Sequence, residues 1–337
     1  MSATVTKAIE RLVRSIDPKE QLQLREALRG PRYHENILRI FLNNPFFRLT
    51  SDEVEHLKGA GESLVNSLVL ARDAAAKSQA PKISVFCMPK SGSSFVQSAL
   101  RAALQLPFVS LTSVSNPGAS SYFGMNSREQ ELDEFALVKT GLAYPKGYVT
   151  QNHTRCSLYL TLQLRFYGVA PILTVRNILD CLVSFDDMML SWRQDRPQDW
   201  IKDTQFTLPL NYPELDEATR HQILARSFGI WLIGFYLSWK RCIRSKFVNP
   251  IVLRYERDIL DPSEFVRKMS AMTRMTDEQV ERLRAYVASP DRKLSRLNVG
   301  VSGRGAQIAP ATVDFLLDYA RQFGDELSAP EIAYLIR

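Results

Sequence analysis

The stretch that most limits what this chain can fold into is residues 82–105, KISVFCMPKSGSSFVQSALRAALQ. Residues 83–88 are a short apolar run with Ile83, Val85 and Phe86, the texture of a strand buried on both faces. From Phe95 the pattern changes. Phe95, Val96, Ala99, Leu100, Ala103 and Leu104 recur at helical spacing as one apolar stripe. Between strand and helix lie Pro89, Lys90, Ser91, Gly92, Ser93 and Ser94. One glycine, three hydroxyls and one cation thus sit where a helix begins. The first N–H groups of a helix have no partner within it, and its dipole is positive at that end. The junction is expected to hold an anion.

Strand-like runs follow at 147–151, 171–175 and 251–255, with helical patterns at 158–166, 180–192 and 215–245 between them. This alternation predicts the α/β class, a central parallel sheet with helices on both faces. Ligands of such sheets gather outside the carboxyl ends of the strands. There the sequence places the anion loop, His153, Arg176, and Tyr255 with Glu256. Parallel strands would bring all four to one rim. The stripe Phe228, Trp231, Leu232, Phe235, Tyr236 and Trp239 has helical spacing and is expected to be core. Asp186 and Asp187 are expected on a solvated helix face. Asp261-Pro262 reads as a cap and first helical residue, and Thr276 to Gln279 as a capping box. A last amphipathic helix is expected at 310–323, closed by Gly324.

Residues 1–80 read as an N-terminal helical extension and residues 81–337 as the α/β domain. In the extension, Ile9, Leu12, Val13 and Ile16 form a stripe, Pro18 follows a capping Asp17, and Thr50 to Glu53 is a capping box before a helix to about residue 77. No catalytic constellation occurs there, and His34 and His56 read as ordinary surface or packing residues. The extension is expected to cap the cleft or to mediate a homo-oligomer.

The net charge of +7 favours an anionic partner. No helix-turn-helix, RNP or zinc pattern appears, so nucleic acid is not the expected one. Cys87, Cys156, Cys181 and Cys242 are scattered without CxxC spacing, which points to neither a zinc site nor a disulfide framework and fits a reducing compartment. No metal is expected. The first 20 residues lack a signal-type apolar core, and no run approaches the roughly 20 apolar residues of a membrane span. The expectation is a cytoplasmic chain.

The loop is not a standard nucleotide-triphosphate loop. That pattern, GxxxxGK[ST], has Lys after two glycines and a hydroxyl for magnesium. Here Lys90 precedes the single glycine. Pro89 to Phe95 (PKSGSSF) instead resembles the PKSGTTW loop of PAPS-dependent sulfotransferases, which binds the cofactor's 5′-phosphosulfate. Val175 to Ser184 (VRNILDCLVS) is similar to that family's RNPKDxxVS segment, which holds the 3′-phosphate. Tyr148 to Arg155 (YVTQNHTR) is similar to the strand that ends in the catalytic histidine. Arg254 to Pro262 (RYERDILDP) resembles the YEDLxxDP element, and Ser295 to Gly305 (SRLNVGVSGRG) the Gly-rich RKGxxGxW loop. Five segments lie in the family's order. Phe95 stands where the family has the adenine-stacking Trp, Asn298 and Val299 stand where it has Arg-Lys, and Thr154-Arg155 replaces Leu-Pro.

The resemblance implies a bacterial member with the P-loop-NTPase-like sulfotransferase fold, moving a sulfuryl group from PAPS to an acceptor hydroxyl or amine and releasing PAP. A glycan or lipid-linked saccharide is the candidate acceptor, and residues 106–146 and 193–213 the candidate acceptor loops. His153 would be the general base and Lys90 would stabilise the leaving phosphate oxygen. Lys90, Ser91, Gly92, Ser93, Ser94, Phe95, Arg176, Ser184, Tyr255, Gly303 and Arg304 would bind PAPS, with Arg296 or Arg304 supplying charge to the 3′-phosphate. Two other readings stand beside it: an atypical P-loop kinase or NTPase, and a non-catalytic nucleotide-binding module.

Overall fold

A computed structural model describes residues 3–44, 46–78, 80–112, 131–195, 208–291 and 301–336. The chain forms two compact units, Met1–Asp73 and Ala74–Arg337. The first contains α1 (Ala3–Leu12), α2 (Pro18–Glu26) and α3 (Tyr33–Asn43), and α4 (Ser51–Lys77) starts in it. Ala8, Ile9, Leu12, Leu28, Ile37, Ile40 and Phe47 make its core. Ile9 and Leu12 belong to the predicted stripe, but Ile16 is exposed. The caps form as read: Asp17 accepts from Lys19 N, and Glu53 accepts from Thr50 N while Thr50 Oγ1 accepts from Glu53 N. Glu53 also pairs with buried Arg25 and accepts from Tyr33. His34 and His56 stack with ring centroids 3.4 Å apart.

The second unit is built on β1 (Lys82–Cys87), β2 (Tyr148–Asn152), β3 (Ala170–Val175) and β4 (Ile251–Arg254), in the order β2-β1-β3-β4 and parallel throughout among the described residues. β1 is buried along its whole length. Ile83, Val85 and Cys87 face one side, with Val96, Ala99 and Leu100 of α5 (Ser93–Leu104), Phe265 of α11 (Pro262–Thr273) and Leu283 of α12 (Asp277–Ala288). Phe86 faces the other side, 4.7 Å from the Trp239 ring of α10 (Ile230–Arg244). Phe185, Phe228, Trp231, Phe235 and Trp239 continue that layer as a chain of ring contacts. The aromatic stripe is core, because a large ring is stabilised most when its whole surface leaves water.

Between the strands lie α6 (Glu134–Ala143), α7 (Leu158–Phe166), α8 (Ile178–Asp195) and α9 (Glu217–Leu224), and at the end α13 (Pro310–Arg321) and α14 (Ala329–Ile336). α6 and α14 were not anticipated. Asp261 and Thr276 cap α11 and α12, and Thr276 closes the full capping box with Gln279. Asn116-Pro117-Gly118, a turn signal in the sequence, lies outside the described residues.

The strand order decides where a ligand sits. From β1 the chain moves to β2 on one side, then returns to β3 on the other. Connections therefore diverge between β1 and β3, which opens a crevice at their carboxyl ends. The register pairs Cys87 with Thr174 and Phe86 with Asn152. The loop after β1 is thus flanked by His153, at the end of β2, and by Arg176, at the end of β3.

Candidate active site

The loop between β1 and α5 is held by its own residues. Lys90 adopts the left-handed conformation (φ +70°), a disfavoured one for a residue with a Cβ. Its carbonyl accepts a 2.8 Å bond from Arg176 Nη1, which offsets that strain. The Ser91 hydroxyl points inward, 2.5 Å from Met88 O and 2.6 Å from Thr174 Oγ1, and Ser91 N donates to Met88 O. The expected anion-facing hydroxyl at Ser91 is thus a brace between loop and sheet. Gly92 also has positive φ (+78°), and a Cβ there would lie 3.0 Å from the Tyr255 ring. Glycine is required by conformation and by Tyr255 together.

The loop presents the α5 terminus outward. The first intrahelical bond runs from Val96 N to Gly92 O, and no side chain caps the helix. The N–H groups of Ser93, Ser94 and Phe95 lie in that first turn. Ser93 Oγ accepts from Gln151 Nε2 of β2, while the half-buried Ser94 hydroxyl has no partner among the described residues. Lys90 Nζ lies 3.7 Å from the Met188 sulfur.

Phe95 departs from expectation. Its ring is buried, 5.2 Å from Phe265 and 6.1 Å from Tyr286. An adenine face is not available on a ring already packed into the apolar core. The aromatic at this position serves the α5–α11–α12 layer instead.

His153 ends β2 with its ring buried. Nδ1 lies 2.9 Å from the Cys87 carbonyl, which can only accept, so Nδ1 carries the proton and Nε2 the lone pair. Burial lowers its pKa to about 4, against a smaller upward push from that carbonyl bond. The imidazole is therefore neutral at pH 7 and in the tautomer of a base. The neighbouring Cys87 thiol is pushed up to about 12 by burial, which leaves it unreactive.

Arg176 is the hub of the opposite side. Its guanidinium carbon sits 4.1 Å over the Tyr255 ring. Nη1 holds Lys90 O, Nη2 donates to Val301 O at 2.9 Å, and Asp180 Oδ2 is 3.4 Å away. Nε is buried with no hydrogen-bond partner among the described residues. An unpaired buried donor costs about 1–3 kcal/mol, which makes Nε a candidate contact for an acceptor. Tyr255 therefore supports Arg176 with its ring face and Gly92 with its edge.

Asp180, where the helical pattern over 180–192 begins, holds the last Gly-rich loop. Its carboxylate accepts from Gly303 N at 2.9 Å and Gly305 N at 2.7 Å. Gly303 has φ +86°, and a Cβ on Gly305 would lie 2.4 Å from Leu179 Cβ. The expected 3′-phosphate charge on Arg304 is already paired, 2.6 Å from Asp187. Arg296, Asn298 and Val299 lie outside the described residues, as do the middle parts of both candidate acceptor loops, 113–130 and 196–207. Ser184 is buried on α8.

Asp186 corrects the expectation of a solvated face. It is buried and accepts from Tyr212 Oη at 2.6 Å and from Arg220 Nε and Nη2 at 2.9 and 3.0 Å. A carboxylate with three charge-assisted or hydroxyl donors tolerates burial. Tyr212 lies at the end of the predicted loop 193–213, so this network ties that end to α8. The signal missed was the i+4 spacing of Arg176 and Asp180, and the i+2 spacing of two glycines that need one acceptor.

No group of three or more His, Cys, Asp or Glu side chains suited to a metal occurs among the described residues, and no described helix is long and apolar enough to cross a membrane. No family model matches the chain, and no curated protein matches it. A similar solved structure is a mouse sulfotransferase, SULT7A1, complexed with PAP; it is 17% identical, with a TM-score of 0.46, covering 78% of this chain and 90% of that chain.

Proposed function

We propose that the chain transfers a sulfuryl group from PAPS to an acceptor hydroxyl. The observation that carries this reading is the buried Arg176 Nε, without a partner among the described residues and set across the β1–β3 crevice from the uncapped first turn of α5. Two separate anion sites on one crevice suit a nucleotide with phosphates at two positions better than one with a single polyphosphate chain. When bound, PAPS supplies the sulfuryl group and PAP is the leaving group.

The residues divide the work. The N–H groups of Ser93, Ser94 and Phe95, with Gly92 permitting the turn and Ser94 adding its hydroxyl, take the 5′ end. Lys90 stabilises the charge that develops on the bridging phosphate oxygen as the S–O bond breaks. Arg176 takes the 3′-phosphate through Nε, with Ser184 on the same helix and Tyr255 as the supporting ring. Gly303 lets its loop close over that end, and the Arg304–Asp187 pair fixes the loop beyond it. His153 Nε2 accepts the acceptor proton as the new O–S bond forms. A base with a pKa of about 4 in the ligand-free protein is weak. Binding an anionic nucleotide beside it raises its affinity for that proton. The candidate acceptor remains a glycan or lipid-linked saccharide, and the reading places the reaction in the cytoplasm.

Calorimetry with PAP, ADP and AMP on wild-type protein and Lys90→Ala tests this. The expected result is tighter binding of PAP than of either other nucleotide, and a loss of about tenfold or more for Lys90→Ala. Equal affinity for the three would overturn the reading and favour an atypical kinase. His153→Ala should keep PAP affinity and lower turnover by about 10²- to 10⁴-fold. Undiminished turnover would remove the base assignment.

A further inference from the structure

α5 packs its apolar stripe, Val96, Ala99, Leu100 and Ala103, into the core. The side turned away from that stripe is polar, yet it is buried too. Gln97 and Ser98 are 7% and 3% exposed, and Arg101 is half-buried. Gln97 and Ser98 lie four and three residues before Arg101, so the three share one side of the helix. Gln97 Nε2, Ser98 Oγ and Arg101 Nε are buried with no hydrogen-bond partner among the described residues, and Tyr286 Oη of α12 is a fourth such atom.

The packing of α12 on α5 brings the fourth atom to the other three. Arg282 Nε donates to Ala103 O at 2.9 Å near the end of α5, and one turn further along α12 the Tyr286 ring lies 6.1 Å from Phe95, three residues before Ser98. Burial raises the Tyr286 pKa, whereas the Ser98 hydroxyl and the Arg101 charge act to lower it. Both therefore stand near the Tyr286 oxygen, and the two hydroxyls are neighbours without hydrogen-bond geometry.

We propose that Gln97, Ser98, Arg101 and Tyr286 bind a small oxyanion of one negative charge, a carboxylate or a sulfate monoester. The inference does not rest on the proposed reaction. All four groups can donate: an amide, two hydroxyls and a guanidinium N–H. Buried donors without acceptors are costly, and an oxyanion supplies several acceptors at one point. Arg101 supplies the charge. It has no ion-pair partner among the described residues, and its guanidinium carbon lies 6.0 Å from the exposed Phe108 ring. Arg282, the nearest arginine on α12, is already committed to Ala103 O and Glu278. The Asp291 carboxylate acts on Tyr286 in the sense opposite to Arg101. One cation facing one nearby acid matches a singly charged ligand better than a polyphosphate, whose charge the cluster would leave unbalanced.

Thermal melting of the full chain in sodium methyl sulfate, sodium acetate or sodium chloride at equal ionic strength tests the proposal. Wild type should melt about 3 °C higher in methyl sulfate or acetate than in chloride. Arg101→Met should lose that gain, and Tyr286→Phe should lose part of it. In chloride both variants should melt no lower than wild type, because each removes a buried donor that has no partner. Anions bound in the nucleotide crevice raise wild type and variants alike, so the difference between them is what counts. A gain from acetate alone assigns a carboxylate ligand, and a gain from methyl sulfate alone a sulfate ester. Equal gains in wild type and Arg101→Met overturn the proposal. A clear drop in melting of Arg101→Met in chloride also overturns it, since the protein itself then holds the guanidinium.

Discussion

The two proposed anion sites of the crevice are built differently. The β1–α5 loop commits its inward groups to structure and keeps its outward ones open: Ser91 braces Met88 and Thr174, Gly92 packs on Tyr255, and the α5 first turn is uncapped. The Arg176 side has most of its donors committed inside the protein. Its two Nη groups hold main-chain carbonyls, Asp180 holds two glycine N–H groups, and Arg304 is paired with Asp187. In the proposed site one half is pre-formed, and the other is a knot whose Nε alone of the guanidinium nitrogens lacks a partner among the described residues. Pre-formed sites lose little on binding, whereas a knot must be supported before it can recognise anything. The difference predicts that substitutions in the second half act mainly on structure, and those on the outward side of the first half mainly on affinity.

The largest effect should come from Gly305→Val. The new side chain would run into Leu179 and its backbone, and the strand of chain at 301–305 would leave Asp180. A stability loss of about 4 kcal/mol is expected by denaturant titration, with loss of PAP preference. A well-folded variant that still prefers PAP would show that the last loop takes no part in the second site.

The next concerns the histidine between the halves. Its folded pKa of about 4 lies below the ordinary 6.5. The unfolded chain then binds the proton first, so stability falls as pH drops through 6.5 and levels off near 4. The total is about 3 kcal/mol. His153→Gln should flatten the slope in that window. An unchanged slope would mean that burial does not hold the imidazole neutral.

Asp180→Asn keeps the shape but removes the charge facing Arg176 and turns one acceptor oxygen into a donor. About 2 kcal/mol of stability should be lost, and PAP affinity should fall more than AMP affinity. Equal losses for both nucleotides would mean that Asp180 does not distinguish the two halves. The smallest and sharpest pair is Ser91→Ala against Ser94→Ala. The first should cost about 1 kcal/mol of stability with little change in 5′-phosphate binding, and the second should do the reverse. Matching behaviour of the two would erase the division between inward and outward groups.

The legible part of the sequence is the local part. The strand-loop-helix unit, the caps at Asp17, Thr50, Asp261 and Thr276, and the alternation behind the parallel sheet depend on neighbours within a few residues. The fate of Phe95 depended on Phe265 and Tyr286, far along the chain, and that of Asp186 on Tyr212 and Arg220. Asp180 meets glycines 123 and 125 residues away. A motif marks which side chain is polar, but not whether its partner is a ligand or another part of the chain. That is why Arg304 read as a ligand contact while its charge is neutralised by Asp187.

A crystal structure of the PAP complex tests whether Arg176 holds the 3′-phosphate. The 3′-phosphate is expected within about 3 Å of Arg176 Nε, with the bond from Arg176 Nη1 to Lys90 O kept and the 5′-phosphate on the first turn of α5. A complex in which the 3′-phosphate lies elsewhere and Nε stays unpaired would contradict it.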